Sequence, residues 1–210
     1  ATEGKLLPDS GGSMHKRFLI TQSLISSWLW SYKLETGYED FLKTLRREPI
    51  QQNKAMLDGI RFENVLNATL KGAEIGMDHE WYKPITELYP TLVGSQQQVS
   101  ASKDVTVDGI PFVLYGKLDF LKAGIIYDTK YSKTYSVGKY LDSPQHPMYL
   151  ALIPEAREFQ YKICDGKYIY TETYCHDEVE PIERTIKHFM DFLDKQDLVK
   201  IYCDNWRSKY

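Results

Sequence analysis

Cysteine is scarce and irregularly placed. The 210-residue chain carries three, Cys164, Cys175 and Cys203, separated by 11 and 28 residues. That spacing makes neither a CxxC metal knuckle nor a dense secreted disulfide framework, so a reducing, cytoplasmic setting is expected. Long apolar runs are missing as well. No stretch approaches the roughly 18 consecutive apolar residues of a membrane span, and the polar residues 1–13 lack the apolar core of a signal peptide. No membrane partner is therefore expected. Net charge is small, because 26 Lys+Arg stand against 29 Asp+Glu to give −3. A globally basic coat is excluded, and any polyanion must be bound by a local patch. The five histidines, at 15, 79, 146, 176 and 188, offer no pair at zinc-site helical spacing with a third ligand nearby. Surface or core roles are expected of them, with His146 set apart by its position beside Gln145.

What is present suits one domain. With 42% hydrophobic and 26% charged side chains, the chain is large enough for a real core. Residues 1–13, with Pro8, Gly11 and Gly12, offer turn chemistry and nothing to bury. They read as a flexible lead, with Met14 as the natural start and 14–210 as a single domain. A first helix starts at a hydroxyl cap, Thr21 or Ser23, with Leu24, Ile25, Trp28 and Leu29 as its apolar stripe. Helices are also expected over 39–46 and 51–71. After Pro90 the pattern becomes strand-like, over 97–102, 105–107 and 110–120, with a hairpin turn at Asp108-Gly109 and a second at Ala123-Gly124. Ser143-Pro144 opens another helix, Asp165-Gly166 turns a third hairpin, and 178–198 closes the chain as an amphipathic helix. Helices followed by strands, with a helix between strands, predict an α/β domain.

Glu63, Asp119, Asp128 and Lys130 form the constellation with chemical content. On the expected strand 125–131, Asp128 and Lys130 are two residues apart and leave the same face. A hairpin symmetric about Ala123-Gly124 pairs residues whose numbers sum to 247, which sets Asp119 opposite Asp128. Like charges so placed repel, and they need a divalent cation, a shared proton or a neighbouring lysine such as Lys130. An all-oxygen donor set favours Mg²⁺ or Mn²⁺ over zinc. Glu63 supplies a third donor if its helix packs on the sheet, with Gly59 one turn earlier allowing close backbone approach. The chemistry such a set supports is metal-assisted hydrolysis of a phosphodiester. The tripeptide alone is weak, since Glu3-Gly4-Lys5 and Asp165-Gly166-Lys167 share its form; only Asp128-Thr129-Lys130 follows an apolar strand and faces an acidic partner.

Four segments in order, Gly59-Ile60-Arg61-Phe62-Glu63, Gly116-Lys117-Leu118-Asp119, Ile126-Tyr127-Asp128-Thr129-Lys130 and Gln145-His146-Pro147-Met148-Tyr149, resemble the PD-(D/E)XK nuclease superfamily. The likeness is to its RecB-like, exonuclease VIII-like branch and covers residues 20–151; the last segment resembles that branch's QxxxY motif. The resemblance implies a restriction-endonuclease-like α/β core, a central mixed β-sheet flanked by helices, with an N-terminal helical segment. It implies Asp119, Asp128 and the Thr129 carbonyl as metal ligands, with Glu63 as a further ligand. It also implies that Lys130 assists attack by water, and that Gln145 and Tyr149 orient the site or touch DNA. Asp119 is preceded by Leu118 and not by proline, and Glu63 stands where many relatives have histidine. Some relatives carry an iron–sulfur cluster on four cysteines; three at other spacing predict none here.

Residues 115–140 hold five lysines against two aspartates, a local excess of positive charge in a chain that is negative overall. Lys117, Lys133, Tyr135, Lys139 and Tyr140 are accordingly expected to contact phosphates and stack on bases. The expected function is a Mg²⁺- or Mn²⁺-dependent deoxyribonuclease, an exonuclease on linear duplex or single-stranded DNA in recombination, repair or phage DNA processing. A restriction-type or structure-specific endonuclease and a non-catalytic nucleic-acid-binding module are the alternatives. Homo-oligomers and recombination proteins are the protein partners such a nuclease would have.

Overall fold

The computed structural model describes residues 16–209; the expected lead over 1–13, Met14 and His15 lie outside the described residues. Strand β1 (Phe18–Thr21) runs directly into helix α1 (Gln22–Trp30). Thr21 is the cap, its Oγ1 accepting from the Leu24 amide at 3.2 Å. Helix α2 (Gly37–Leu45) follows, then α3 (Lys54–Leu70), where Asn53 Oδ1 accepts from the Met56 amide at 2.9 Å. Helix α4 (Tyr82–Leu92) was not expected, because Pro84 and Pro90 read as breakers. Pro84 lies in the first turn, where the missing N–H costs nothing, and Pro90 lies in the last. Strand β1 also left no sequence signal, being four residues long and paired only with a distant partner.

Two long antiparallel strands, β2 (Gln96–Val107) and β3 (Ile110–Lys122), form the first hairpin, so the two short strands expected over 97–107 are one. Asp108 and Gly109 have φ of 49° and 78°, the double left-handed turn that matches strand twist. Ala123 and Gly124, at 52° and 76°, repeat it before β4 (Ile125–Tyr131). Helix α5 (Gln145–Leu152) crosses from β4 to the parallel strand β5 (Glu158–Cys164), and β6 (Ile169–Cys175) returns antiparallel. The closing helix expected over 178–198 is found, shorter at both ends, and a further helix follows it. A 3-10 turn at His176–Glu178 precedes α6 (Ile182–Lys195), and left-handed Asp197 separates it from α7 (Val199–Asn205).

The six strands make one mixed sheet in the order β1-β3-β4-β5-β6, with β2 along the other edge of β3. Strand β3 is long enough to share its second edge. β1 takes residues 112–115 in parallel and β4 takes residues 120–122 antiparallel, so residues 116–119 have no strand partner on that edge. Helix α5 covers the gap, and Tyr149 Oη donates to the Lys117 carbonyl at 3.2 Å. Gly116 makes this approach possible, since a Cβ there would lie 2.6 Å from Tyr149 Cε1.

Helices flank both faces. One apolar cluster joins α1, α2, α5, α6 and α7 to Phe112, Leu114, Leu118, Ile126 and Phe159 of the sheet. The other joins Phe62 and Leu66 of α3, Trp81 just before α4, and Leu88 of α4 to Phe120 and Tyr127. Among the described residues no helix is long and apolar enough to cross a membrane.

The expected close approach at Gly59 is not found, because a Cβ built there meets nothing within 4 Å. The two glycines should therefore respond oppositely. Gly116→Ala is expected to lower stability by about 1–3 kcal/mol through overpacking, whereas Gly59→Ala in mid-helix should raise it by about 0.5–1 kcal/mol. Denaturant unfolding of both variants checks this, and the reverse order would refute the packing argument.

Candidate active site

The β3–β4 ladder runs from Lys122↔Ile125 to Phe120↔Tyr127, the register in which paired numbers sum to 247. One step further the ladder stops. Asp119 and Asp128 occupy that next step, where β3 continues with β2 and β4 continues with β5. The two carboxyls meet in this fork, within hydrogen-bonding reach of each other. Asp128 is only 3% exposed. Its Oδ1 accepts from Gln145 Nε2 at 2.6 Å, and its Oδ2 lies 2.9 Å from Lys130 Nζ. That contact is an ion pair, and the buried Oδ2 has no other polar partner. Gln145 and Tyr149, one turn apart on α5, thus serve the two sides of the fork, one at Asp128 and one at the Lys117 carbonyl.

Electrostatics mark the same place. Burial, then the charge and hydrogen bond of Asp128, then Glu63, push the Asp119 pKa from 3.8 up to about 8, against a weaker opposing pull from Lys130. Near neutrality Asp119 therefore holds a proton in contact with Asp128. Burial alone would lower the Lys130 pKa, but Asp128 and then Asp119 outweigh it and the net shift is upward. Lys130 stays a cation. Burial, then Asp128 and Asp119, raises Tyr149 to about 12, so its hydroxyl remains a donor.

The donors available to a metal ion are oxygens: Asp119, Asp128 with its buried Oδ2, and the Thr129 carbonyl between Asp128 and Lys130. A hard cation fits this chemistry and would relieve the repulsion within the pair. Among the described residues no group of three His, Cys, Asp or Glu side chains is gathered closely enough to cage an ion. Glu63 on α3 acts on Asp119 through its charge.

The expected lysine-rich rim is only partly a rim. Lys122 is spent on α4, where its Nζ donates to the carbonyls of Thr91 and Val93 at 3.1 and 2.7 Å and so caps the helix C-terminus. Lys117, Lys133 and Lys139 are exposed. Lys133 lies 3.6 Å from Asp58 of α3, and Lys139 donates to Ser132 Oγ at 2.6 Å. Tyr140 stacks on Tyr161 with centroids 4.9 Å apart. Tyr135, expected to meet nucleic acid, is half-buried. Its hydroxyl donates to Glu172 at 2.9 Å and its ring packs on Tyr170. His146 is a core residue. It shares a hydrogen bond with Tyr161, stacks on Tyr174 at 3.8 Å, and is pushed down to about 4 by burial.

Two residues went unnoticed in the sequence. Gln98 of β2 donates from Nε2 to Asp119 Oδ1 at 3.3 Å and has a left-handed φ of 53° inside a strand. The ladder skips this rung without a slip, since Gln97↔Phe120 and Val99↔Leu118 hold one register. At the same point β3 changes sides. Leu118 belongs to the first apolar cluster and Phe120 to the second. The signal was available, because the hairpin at Asp108-Gly109 pairs numbers that sum to 217, which places Gln98 opposite Asp119. Glu172, buried in β6, had no such signal; it accepts from Tyr135, from the Gly138 amide at 3.0 Å and from Tyr174 Oη at 2.9 Å.

No family model matches the chain, and no curated protein matches it. Among solved structures, the crystal structure of SSO0001 is similar over 87% of this chain and 79% of its own, at 15% identity and a TM-score of 0.50. The likeness is one of fold. The α/β architecture, a mixed central sheet flanked by helices, is consistent with a restriction-endonuclease-like core.

A carboxyl held protonated has a definite stability signature. Because the folded pKa of Asp119 is raised, its contribution is fully present below about pH 4 and is lost as pH rises through about 8. With EDTA present, wild type should therefore lose stability relative to Asp119→Asn between pH 4 and 8. Parallel stability curves for the two proteins, measured by denaturant unfolding, would show that the carboxyls do not interact as described.

Proposed function

We propose that this protein is a Mg²⁺- or Mn²⁺-dependent deoxyribonuclease of the PD-(D/E)XK kind, in its RecB-like branch, acting as an exonuclease on linear DNA. The observation that carries the reading is the fork. Two carboxyls from different strands are held together, one protonated near neutrality and the other ion-paired through its buried Oδ2 to a partly buried lysine. Nothing in packing requires such a pair, and strongly perturbed groups gathered at one spot are characteristic of chemistry.

Asp119, Asp128 and the Thr129 carbonyl would hold the metal ion, with Glu63 nearby. The ion supplies Lewis-acid polarisation of a phosphoryl oxygen and lowers the pKa of water. The chain does the rest. Gln145 fixes the rotamer of Asp128 through Oδ1, which leaves Oδ2 to Lys130. Lys130 keeps its proton and offers a positive charge to a phosphate oxygen or an N–H to the attacking water. Tyr149 holds the Lys117 carbonyl and so keeps β3 from closing on β4. Lys117, Lys133 and Lys139 present positive charge to the phosphates on either side of the scissile bond.

End-labelled linear duplex and single-stranded DNA, incubated with Mg²⁺ or Mn²⁺, test this directly. Lys130→Ala and Asp119→Ala should each reduce the rate by about a hundredfold or more. Equal rates for wild type and both variants would sink the assignment. Closed circular DNA should survive, since an exonuclease needs an end, and its cleavage at the linear rate would make the enzyme an endonuclease.

A further inference from the structure

Asp119 is the one residue of β3 that lies in no ladder. On one edge the pairing with β2 passes from Val99↔Leu118 to Gln97↔Phe120 and omits it, and on the other edge it falls between the residues taken by β1 and by β4. Asp128 is held quite differently. Its backbone pairs with Tyr161 of β5, and its carboxyl is met by Gln145 and Lys130. A group that is to serve a metal ion must keep its place to within about 0.5 Å, and strand pairing does not do that for Asp119.

What connects Asp119 to β2 is a side chain. Gln98 stands where the omitted partner would be, and its Nε2 donates to Asp119 Oδ1 at 3.3 Å. The carboxyl therefore meets Gln98 as well as Asp128.

The backbone of Gln98 is strained at this point. Its φ of 53° is left-handed, a region that is unfavourable for any residue with a Cβ. The other non-glycine residues with positive φ among the described residues, Arg47, Asp108, Ala123 and Asp197, stand in hairpin turns or just beyond helix ends, where that conformation is ordinary. Gln98 alone has it inside a strand. A solvent-open amide bond of this length adds little stability of its own, so the bond does not account for the strain. Nor does the ladder require it, since the register is the same before and after. Its position does account for it, directly across from the one carboxyl that pairing leaves unheld.

We propose that Gln98 is a positioning residue for Asp119, its amide standing in for the missing rung and keeping the carboxyl turned towards Asp128, so that both are offered to one divalent cation. The inference rests on the nuclease reading and adds to it a residue from a strand that carries none of the other site residues.

Calorimetric titration of Mn²⁺ into the DNA-free protein reads positioning apart from catalysis. Gln98→Leu removes the donor and keeps the strain, and Gln98→Gly removes both. Gln96→Leu makes the same change at an exposed residue of the same strand, paired with Leu121. Wild type and Gln96→Leu should bind Mn²⁺ alike, at a site that Asp119→Ala abolishes, and both Gln98 variants should bind about tenfold more weakly. Thermal melts add the second readout. Gln98→Gly, relieved of strain, should melt no lower than wild type while binding worse, a combination that general loss of structure does not give. On end-labelled linear DNA, the Mn²⁺ concentration giving half the maximal rate should rise by the same factor in both variants, with a smaller change in the rate at saturation. An affinity equal to that of wild type in either Gln98 variant overturns the positioning role, as does a lower melting temperature for Gln98→Gly or a wild type that binds no Mn²⁺. Weakened binding in both variants without hydrolysis by wild type upholds the positioning role and removes the nuclease reading. Hydrolysis whose Mn²⁺ dependence is unchanged in both variants does the reverse.

Discussion

Strand β3 is claimed along one edge by β2 and along the other by two different strands, and the residues between those two belong to neither. A backbone left unpaired inside a sheet must find other partners or water. Here the Lys117 carbonyl takes the Tyr149 hydroxyl, and Gly116 supplies the room for the tyrosine ring. The same interruption lets β3 part from β4 directly after Phe120↔Tyr127. Two strands that had continued to pair would have forced Asp119 and Asp128 into a regular cross-strand contact, with no space between them for a third party. The fork is therefore both a packing problem solved by α5 and the opening in which chemistry can occur.

The charges follow from that geometry. Bringing two carboxyls together in a partly buried place raises one of them far above its ordinary range, and a single lysine beside them does not cancel the effect. A net charge of −3 for the whole chain conceals this separation. The lysines around residues 115–140 are likewise not equivalent. Lys122 closes the end of a helix, Lys130 stands in the fork, and only Lys117, Lys133 and Lys139 face solvent. Counting cations along the chain overstates a surface whenever one of them is needed to satisfy backbone carbonyls.

Legibility in the sequence tracked how local each determinant is. The hairpins at Asp108-Gly109 and Ala123-Gly124 were readable because two adjacent residues with positive φ carry the whole turn, and they fixed the register that brings Asp119 to Asp128. The Thr21 cap was readable for the same reason. Strand β1 was not, since its only strand partner lies some ninety residues on and its four residues form no pattern. Helix α4 was hidden by its prolines, of which Pro84 sits in the first turn, where a missing N–H has no helical partner to lose. At the site, Asp128 and Lys130 could be proposed as neighbours from strand alternation, and Gln145 only through the family resemblance. Glu172 could not, because its three partners come from a loop and a strand that only the tertiary fold brings to it. The anchoring of Tyr135 on Glu172 was hidden for the same reason, an aromatic in a basic loop giving no sign in sequence of what its hydroxyl meets.

Several departures from good local structure meet at one place in the molecule. A left-handed Gln98 within a strand, a protonated Asp119, a buried Asp128 oxygen met only by Lys130 and an interrupted sheet edge all fall on two strands and their immediate neighbours. Each costs stability, a left-handed non-glycine residue alone about 1–2 kcal/mol. Two apolar clusters, one on each side of the sheet, surround this region and hold it. Meeting around one pair of carboxyls, where Gln98 turns its amide to Asp119 and Gln145 turns its own to Asp128, these departures describe a site whose shape is maintained against the preferences of its own backbone and charges.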